Sequence, residues 1–221
     1  MLQFANFSEL KIEIYDKMIA IINYGLGNLG SIANMLKVIG EKLVITSEKT
    51  AIESAGKLIL PGVGAFDAGM AQLREKNLIE VIQEQAIEAK KPILGICLGM
   101  QLLGRKSEEG KLPGLDLIPF DNIRFRFDEN SQLKIPHMGW DIVEFKQKNP
   151  LINNLEGQQR YYFVHSYHAL CDNKENVLMT CDYGYEFAAS VVKNNIYGVQ
   201  FHPEKSHDFG MALFNNFVKN C

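Results

Sequence analysis

No apolar run in the 221 residues approaches the roughly 18 to 20 that a membrane-spanning helix needs. The chain also lacks the basic start and apolar centre of a secretory signal, so a cytoplasmic protein is expected. Positive charge is not in excess. The net charge of −3 and a pI near 6.0 give no electrostatic footprint for nucleic acid or an anionic membrane surface. Cysteine is scarce and unpaired in pattern. Cys97, Cys171, Cys181 and Cys221 show no CxxC spacing, which points away from a disulfide framework and from a zinc site. Tryptophan occurs once, as Trp140.

What remains is a globular composition, 47% hydrophobic and 22% charged, long enough for one large domain or two small ones. Residues 1–17 mix apolar and charged side chains without a clear period and read as an extension that could add an edge strand. A much better strand starts at Met18, and residues 18–221 are read as a single domain. Met18 to Ile22 is continuously apolar, as a central parallel strand should be, and Asn28 to Ile39 shows helical spacing through Ile32, Met35, Leu36 and Ile39. The loop between them, Gly25-Leu26-Gly27-Asn28-Leu29-Gly30, has the form GxGxxG with Glu48 about twenty residues on. It reads either as a dinucleotide fingerprint or as a glycine turn needed for tight packing.

Strands are expected at Leu43 to Thr46, Lys57 to Leu60 and Pro92 to Ile96, with one or two helices over Asp67 to Lys90. Strands alternating with helices across short loops predict an open, mainly parallel, doubly wound sheet flanked by helices, which binds ligands at the carboxyl ends of its strands. Beyond Gly104 the pattern changes. A polar loop, Ser107 to Gly110, leads to a strand-like run from Leu117 to Phe127. Tyr161 to His168, Val177 to Asp182, Phe187 to Val192 and Ile196 to Phe201 then read as a mostly antiparallel β extension, with turns such as Lys193-Asn194-Asn195. A helix from Phe209 to Val218 closes the chain.

Cys97 lies in the bend between the Pro92 strand and a helix beginning at Leu98. Gly95-Ile96-Cys97-Leu98-Gly99 has the form of a nucleophile elbow with Cys for Ser. Flanking glycines permit the strained turn, and a thiol at a helix start favours thiolate. A buried core cysteine is the alternative. The loop Pro61-Gly62-Val63-Gly64 is suited to donating backbone N–H groups to an oxyanion, or is a plain glycine turn. A base is offered by His202, which ends a strand, with Glu204 two residues on to hold its other nitrogen; a surface histidine is the bland alternative. Trp140, beside Met138 and Gly139, is either core or, if exposed, an anchor for a partner protein.

Taken together, Gly95 to Gln101, Pro61 to Gly64 and Gln200 to Glu204 resemble the class I (triad) glutamine amidotransferases. More narrowly, Pro136-His137-Met138-Gly139-Trp140, Tyr162 to Tyr167 and Phe201 to Ser206 resemble the glutaminase subunits of imidazole glycerol phosphate synthases, in a likeness running from Met18 to about Lys219. The resemblance implies Cys97 as nucleophile, His202 as general base and acid, and Glu204 as its orienter. It implies an oxyanion hole from the Leu98 N–H and a peptide among Gly62, Val63 and Gly64. A glutamine pocket of Gly64, Gln101, Glu109, Val164, His165, Ser166 and Tyr167 is implied as well. Pro136 to Trp140 would meet the partner, a (β/α)8-barrel synthase subunit that takes ammonia and makes imidazole glycerol phosphate and AICAR in histidine biosynthesis. No cofactor is implied, which demotes the dinucleotide reading of the first loop. Asp141 departs from the Asn usual in the family, at the motif implied to meet the partner. Other clients keep the same chemistry open, namely a synthase for amidino sugars of surface polysaccharide; a Cys-elbow hydrolase or peptidase on a similar sheet is a further alternative.

Overall fold

Ile19–Ile22 (β1) has no polar residue and is buried at every position, so it can only be a strand covered on both faces. In the computed structural model, which describes residues 18–221, it lies between the strands Leu43–Thr46 and Lys57–Gly62 in the parallel half of one twelve-stranded sheet. The expected extension at 1–17 lies outside the described residues. The first half of the chain alternates strand and helix: α1 (Leu29–Ile39), β2 (Leu43–Thr46), α2 (Lys49–Ser54), β3 (Lys57–Gly62), α3 (Phe66–Glu75), α4 (Ile79–Ile87), β4 (Ile93–Cys97) and α5 (Leu98–Leu102). The second half is mostly strand: β5 (Lys106–Ser107), β6 (Phe120–Arg124), β7 (His137–Phe145), β8 (Gln159–His165), β9 (Tyr167–Cys171), β10 (Val177–Asp182), β11 (Glu186–Lys193) and β12 (Ile196–Val199). Helix α6 (His207–Asn220) ends the chain.

The principal strand order is β2-β1-β3-β4-β12-β11-β10-β7-β8. The first five strands are parallel, because β12 pairs in parallel with β4 before β11 reverses direction beside it. β9 pairs with β11 and β6, and β6 with the short β5. The fold is thus the doubly wound sheet with an antiparallel extension that the sequence predicts.

Alternation along the parallel strands supplies two cores. Ile19, Ile21, Ile59, Leu94 and Ile96 join Ile32 and Leu36 of α1 and Leu213, Phe214 and Phe217 of α6 on one face. Ala20, Ile22, Leu58, Leu60 and Ile93 join α2 to α5 on the other. Each fully buried aliphatic side chain stabilises the fold by roughly 1.5–3 kcal/mol, so these layers fix where the strand ends lie. At the far end of α6, the Lys57 ammonium donates to the carbonyls of Phe217, Val218 and Cys221 at 3.0, 2.6 and 2.9 Å, satisfying acceptors that the helix leaves unpaired.

Several boundaries differ from expectation. The one or two helices expected over Asp67 to Lys90 are two, but with bounds Phe66–Glu75 and Ile79–Ile87, broken where Asn77 takes a left-handed φ of 55°. Tyr161 to His168 is not one strand but the end of β8 and the start of β9, divided at Ser166. Only Phe120–Arg124 of the Leu117 to Phe127 run is strand. The short α2 and the nine-residue β7 carry no sequence prediction at all.

Candidate active site

β4 passes into α5 with no connecting residue, and Cys97 makes the bend at φ 54° and ψ −112°. That conformation costs a non-glycine residue about 1–3 kcal/mol, so it persists only where neighbours over-determine it. They do so here on both sides. Gly62 of β3 is in register with Cys97, and Val199 of β12 with the preceding Ile96. A side chain on Gly99 would meet the Leu60 carbonyl oxygen at 1.8 Å, and one on Gly95 the Gly99 carbonyl oxygen at 2.7 Å. The glycines flanking the cysteine are therefore what lets α5 lie directly on the sheet. Leu98 is the first residue of α5, so its N–H lies outside the intrahelical ladder.

Cys97 lines a pocket of about 350 Å³. Its wall includes Val63, Gly64, Leu98, Gln101, Glu109, Val164, His165, Ser166, Tyr167 and His202. All seven residues implied for glutamine binding are thus gathered at the carboxyl end of the parallel strands. Gly62 ends β3 and is not in this wall. Gly64 has φ +103° with nothing within 4 Å of a would-be Cβ, so this loop is open on its outer side. Glu109 is tied to the start of α3, where its carboxylate accepts the Phe66 N–H at 2.8 Å.

His202 follows β12 and Glu204 sits in the single 3₁₀ turn beyond it, Pro203–Lys205. Proline at the first position of that turn fixes the geometry that brings the two side chains together. His202 Nδ1 is 2.8 Å from Glu204 Oε1, and both side chains are nearly sealed from solvent, at 2% and 1% exposure. Burial opposes a charge on the imidazole, but the Cys97 sulfur and the Glu204 carboxylate outweigh it and push the pKa up to about 9. No hydrogen bond of ordinary geometry reaches His202 Nε2, so that nitrogen is left for whatever enters beside the sulfur.

Two contributors were not legible beforehand. Gln200 donates to Cys97 Sγ at 3.8 Å and accepts from Gln101 Nε2 at 3.0 Å, although it reads in sequence as one more residue of a strand end. The buried Tyr24 hydroxyl donates to the Pro61 carbonyl. Gly27 packs on Pro61, with its would-be Cβ 3.1 Å from the ring, so the first glycine loop has the tight packing that was one of its two sequence readings. Pro136, expected at a partner surface, is exposed and also lines the pocket. His137, expected at the same surface, is wholly buried and turned inward; Met138 at 61% and Trp140 at 40% are exposed. Alternation along β7 separates these neighbours onto opposite faces.

The site thus sets a cysteine elbow of a parallel sheet in one pocket with a carboxylate-tethered histidine. A family model described as glutamine amidotransferase class-I matches residues 12–221, and the chain belongs to that family. Within it, the chain is 54% identical over 204 residues to "Imidazole glycerol phosphate synthase subunit HisH 2" of Methanococcus maripaludis, covering 92% of this chain and all of the relative. It is 48% identical to the protein of the same name from Pseudomonas aeruginosa, covering 91% and 99%. Another relative, "Imidazole glycerol phosphate synthase subunit HisH" of Sulfurimonas denitrificans, is also 48% identical, over 91% and 98%. Among solved structures, a chain of "Structure of PurLQS from Thermotoga maritima" superposes with a TM-score of 0.70 over 91% of this chain and 97% of the other, at 19% identity, a likeness of fold. No helix of the described residues is long and apolar enough to cross a membrane.

Proposed function

We propose that this chain is the glutaminase of imidazole glycerol phosphate synthase in histidine biosynthesis, with Cys97, His202 and Glu204 as its catalytic triad. The observation that supports it is the meeting of Cys97 and a Glu204-tethered His202 in one pocket, in a chain about half identical to relatives named for that synthase.

With its pKa raised to about 9, His202 takes and holds the Cys97 proton, and the sulfur attacks the side-chain amide carbon of glutamine. The carbonyl electron pair moves to oxygen, and backbone N–H groups of Leu98 and of the Val63 to Gly64 loop stabilise that oxyanion. Collapse breaks the C–N bond as His202 Nε2 gives its proton to the departing nitrogen, releasing ammonia and leaving a γ-glutamyl thioester. Neutral His202 then takes a proton from water, and the hydroxide adds to the thioester. Glutamate leaves, and the thiolate–imidazolium pair is restored. Glu204 fixes the imidazole orientation through both turnovers.

Ammonia passes to a (β/α)8-barrel synthase subunit. Met138 and Trp140 on β7 form the docking face, where His207 stacks on the Trp140 ring at 5.5 Å between centroids and Arg160 lies over it at 5.7 Å. The test is ammonia release from glutamine by the assembled complex. Cys97→Ala abolishes it while added ammonium salt still drives the synthase reaction; a Cys97→Ala complex with unchanged glutamine turnover would refute the assignment.

A further inference from the structure

Behind the His165 wall of the pocket lies a chain of polar contacts, buried at its two histidines and half-buried at Asp141, that the triad chemistry does not use. Asp141 Oδ2 is 2.7 Å from His137 Nε2, His137 Nδ1 is 3.0 Å from His165 Nε2, and His165 Nδ1 is 2.8 Å from the Tyr167 carbonyl oxygen. The His137 ring is clamped between Phe163 and Tyr183, stacked at 4.8 and 4.0 Å between centroids, so its two nitrogens cannot be re-aimed.

The hydrogens in this chain can be counted. A carbonyl only accepts, so His165 donates from Nδ1 and its Nε2 is free to accept. His137 must fill that acceptor from Nδ1, and a carboxylate at Asp141 requires a second hydrogen on His137 Nε2. Three bonds in series between two acceptor ends need three hydrogens, whereas two neutral imidazoles carry two.

We propose that Asp141 and His137 are positioning residues of the substrate pocket, holding His165 and the Tyr167 carbonyl through a hydrogen-bond chain that contains one proton more than two neutral imidazoles. The proposal rests on the glutaminase reading for its link to glutamine, but not for its proton count. Tyr167 oxygen also accepts from Gln101 Nε2 at 3.3 Å, and Gln101 continues through Gln200 to Cys97 Sγ, so the anchored end adjoins the nucleophile.

The extra proton sits beside Asp141. His165 is driven well below the ordinary imidazole value by complete burial, with His137, His168 and His202 adding repulsion; burial also carries His137 below the ordinary value, but Asp141 opposes that, so of the two rings His137 is the one that takes the proton as pH falls. Facing the pair from the other elements are His168 of β9, Cys181 of β10, the Tyr183 ring and His202 beyond β12, none of them an anion that could replace Asp141. Because the proton is shared, it leaves in one step that belongs to the set. Once it is gone, two lone pairs face each other across one of the contacts, and that contact opens.

The test is the imidazole ¹⁵N spectrum of the full chain, read with the pH dependence of KM for glutamine in the assembled complex. The wild type shows His137 protonated on both nitrogens at the acid end of the range, with KM rising about threefold as that signal is lost. In Asp141→Asn the amide donates to His137 Nε2, so His137 is neutral with its hydrogen on Nδ1 and the KM profile is flat. Asp141→Ala leaves Nε2 unpaired and raises KM about tenfold with kcat less affected, the worth of one buried hydrogen bond. A wild-type His137 that is neutral throughout, or an Asp141→Asn protein with the wild-type spectrum and KM profile, overturns the proposal. If the wild-type complex does not hydrolyse glutamine, the glutaminase reading falls, and the spectrum alone still decides the proton count.

Discussion

The Tyr24 hydroxyl donates to the Pro61 carbonyl at 2.7 Å, so a residue two positions beyond β1 pins the residue that opens the Pro61 to Gly64 loop. Tyr24 is fully buried, and burial raises its phenol far out of reach of physiological titration, with Cys97 adding to the rise. It is therefore a permanent donor. Tyr24→Phe leaves a buried carbonyl without its partner and is expected to lower unfolding free energy by about 1–3 kcal/mol. The loop it supports should hold its peptides less firmly, so kcat for glutamine falls more than KM rises. Urea titration and steady-state kinetics on the same preparation check both; an unchanged stability would remove Tyr24 from this role.

The two kinds of glycine around the site should separate cleanly. Gly99→Ala drives a methyl group onto the Leu60 carbonyl oxygen, 1.8 Å from where Cβ must sit, and backbone cannot yield that far. A loss of more than about 3 kcal/mol, or failure to fold, is expected. Gly64→Ala meets no atom within 4 Å and bears only the strain of φ +103°, a loss of about 1–2 kcal/mol. Thermal unfolding of the two variants orders them, and a Gly64 variant as damaged as the Gly99 variant would contradict the open loop described above.

His202 gives the fold a pH dependence whose sign follows from its raised pKa. The folded value of about 9 lies above the ordinary value of 6.5, so the protonated imidazole stabilises the native state fully below pH 6.5. That contribution, at most about 3 kcal/mol, is lost as pH rises from 6.5 through 9. Removing the carboxylate in Glu204→Gln lowers the folded pKa and flattens the slope. Denaturant midpoints measured from pH 6 to 10 on both proteins supply the comparison, and equal slopes would mean that Glu204 does not hold the charge.

Trp140 makes little of the fold and, as proposed, much of the complex. It is 40% exposed and is supported from below by Tyr162 and His207. Trp140→Ala is expected to change chain stability by less than about 1 kcal/mol and to weaken binding of the synthase subunit at least tenfold, as loss of a central aromatic anchor does. Titration calorimetry with the purified partner measures it; unaltered affinity would move the interface elsewhere.

Much of this site was legible because its residues carry their own geometry. The apolar runs at 19–22 and 93–96 have one structural solution, and glycines at 95 and 99 around a cysteine specify a bend. β7 escaped notice for the opposite reason: its residues alternate between buried and exposed, with Gly139, Trp140 and Asp141 in the middle, so no apolar run marks it. The break between β8 and β9 is a change of partner strand, from β7 to β6, and a change of partner leaves no trace in local composition. Gln200, His137 and Tyr24 owe their roles to groups 28 to 103 residues away, and such distances are set by topology, which periodicity does not encode.

β12 is among the last strands in the chain, yet it is inserted between β4 and β11, and His202 is carried on its far side. During synthesis Cys97 is therefore made well before the strand that separates β4 from β11 and the histidine beyond it. With the proposed triad, a polypeptide that ends before His202 is expected to release no ammonia, and hydrolytic activity would report that the sheet has closed.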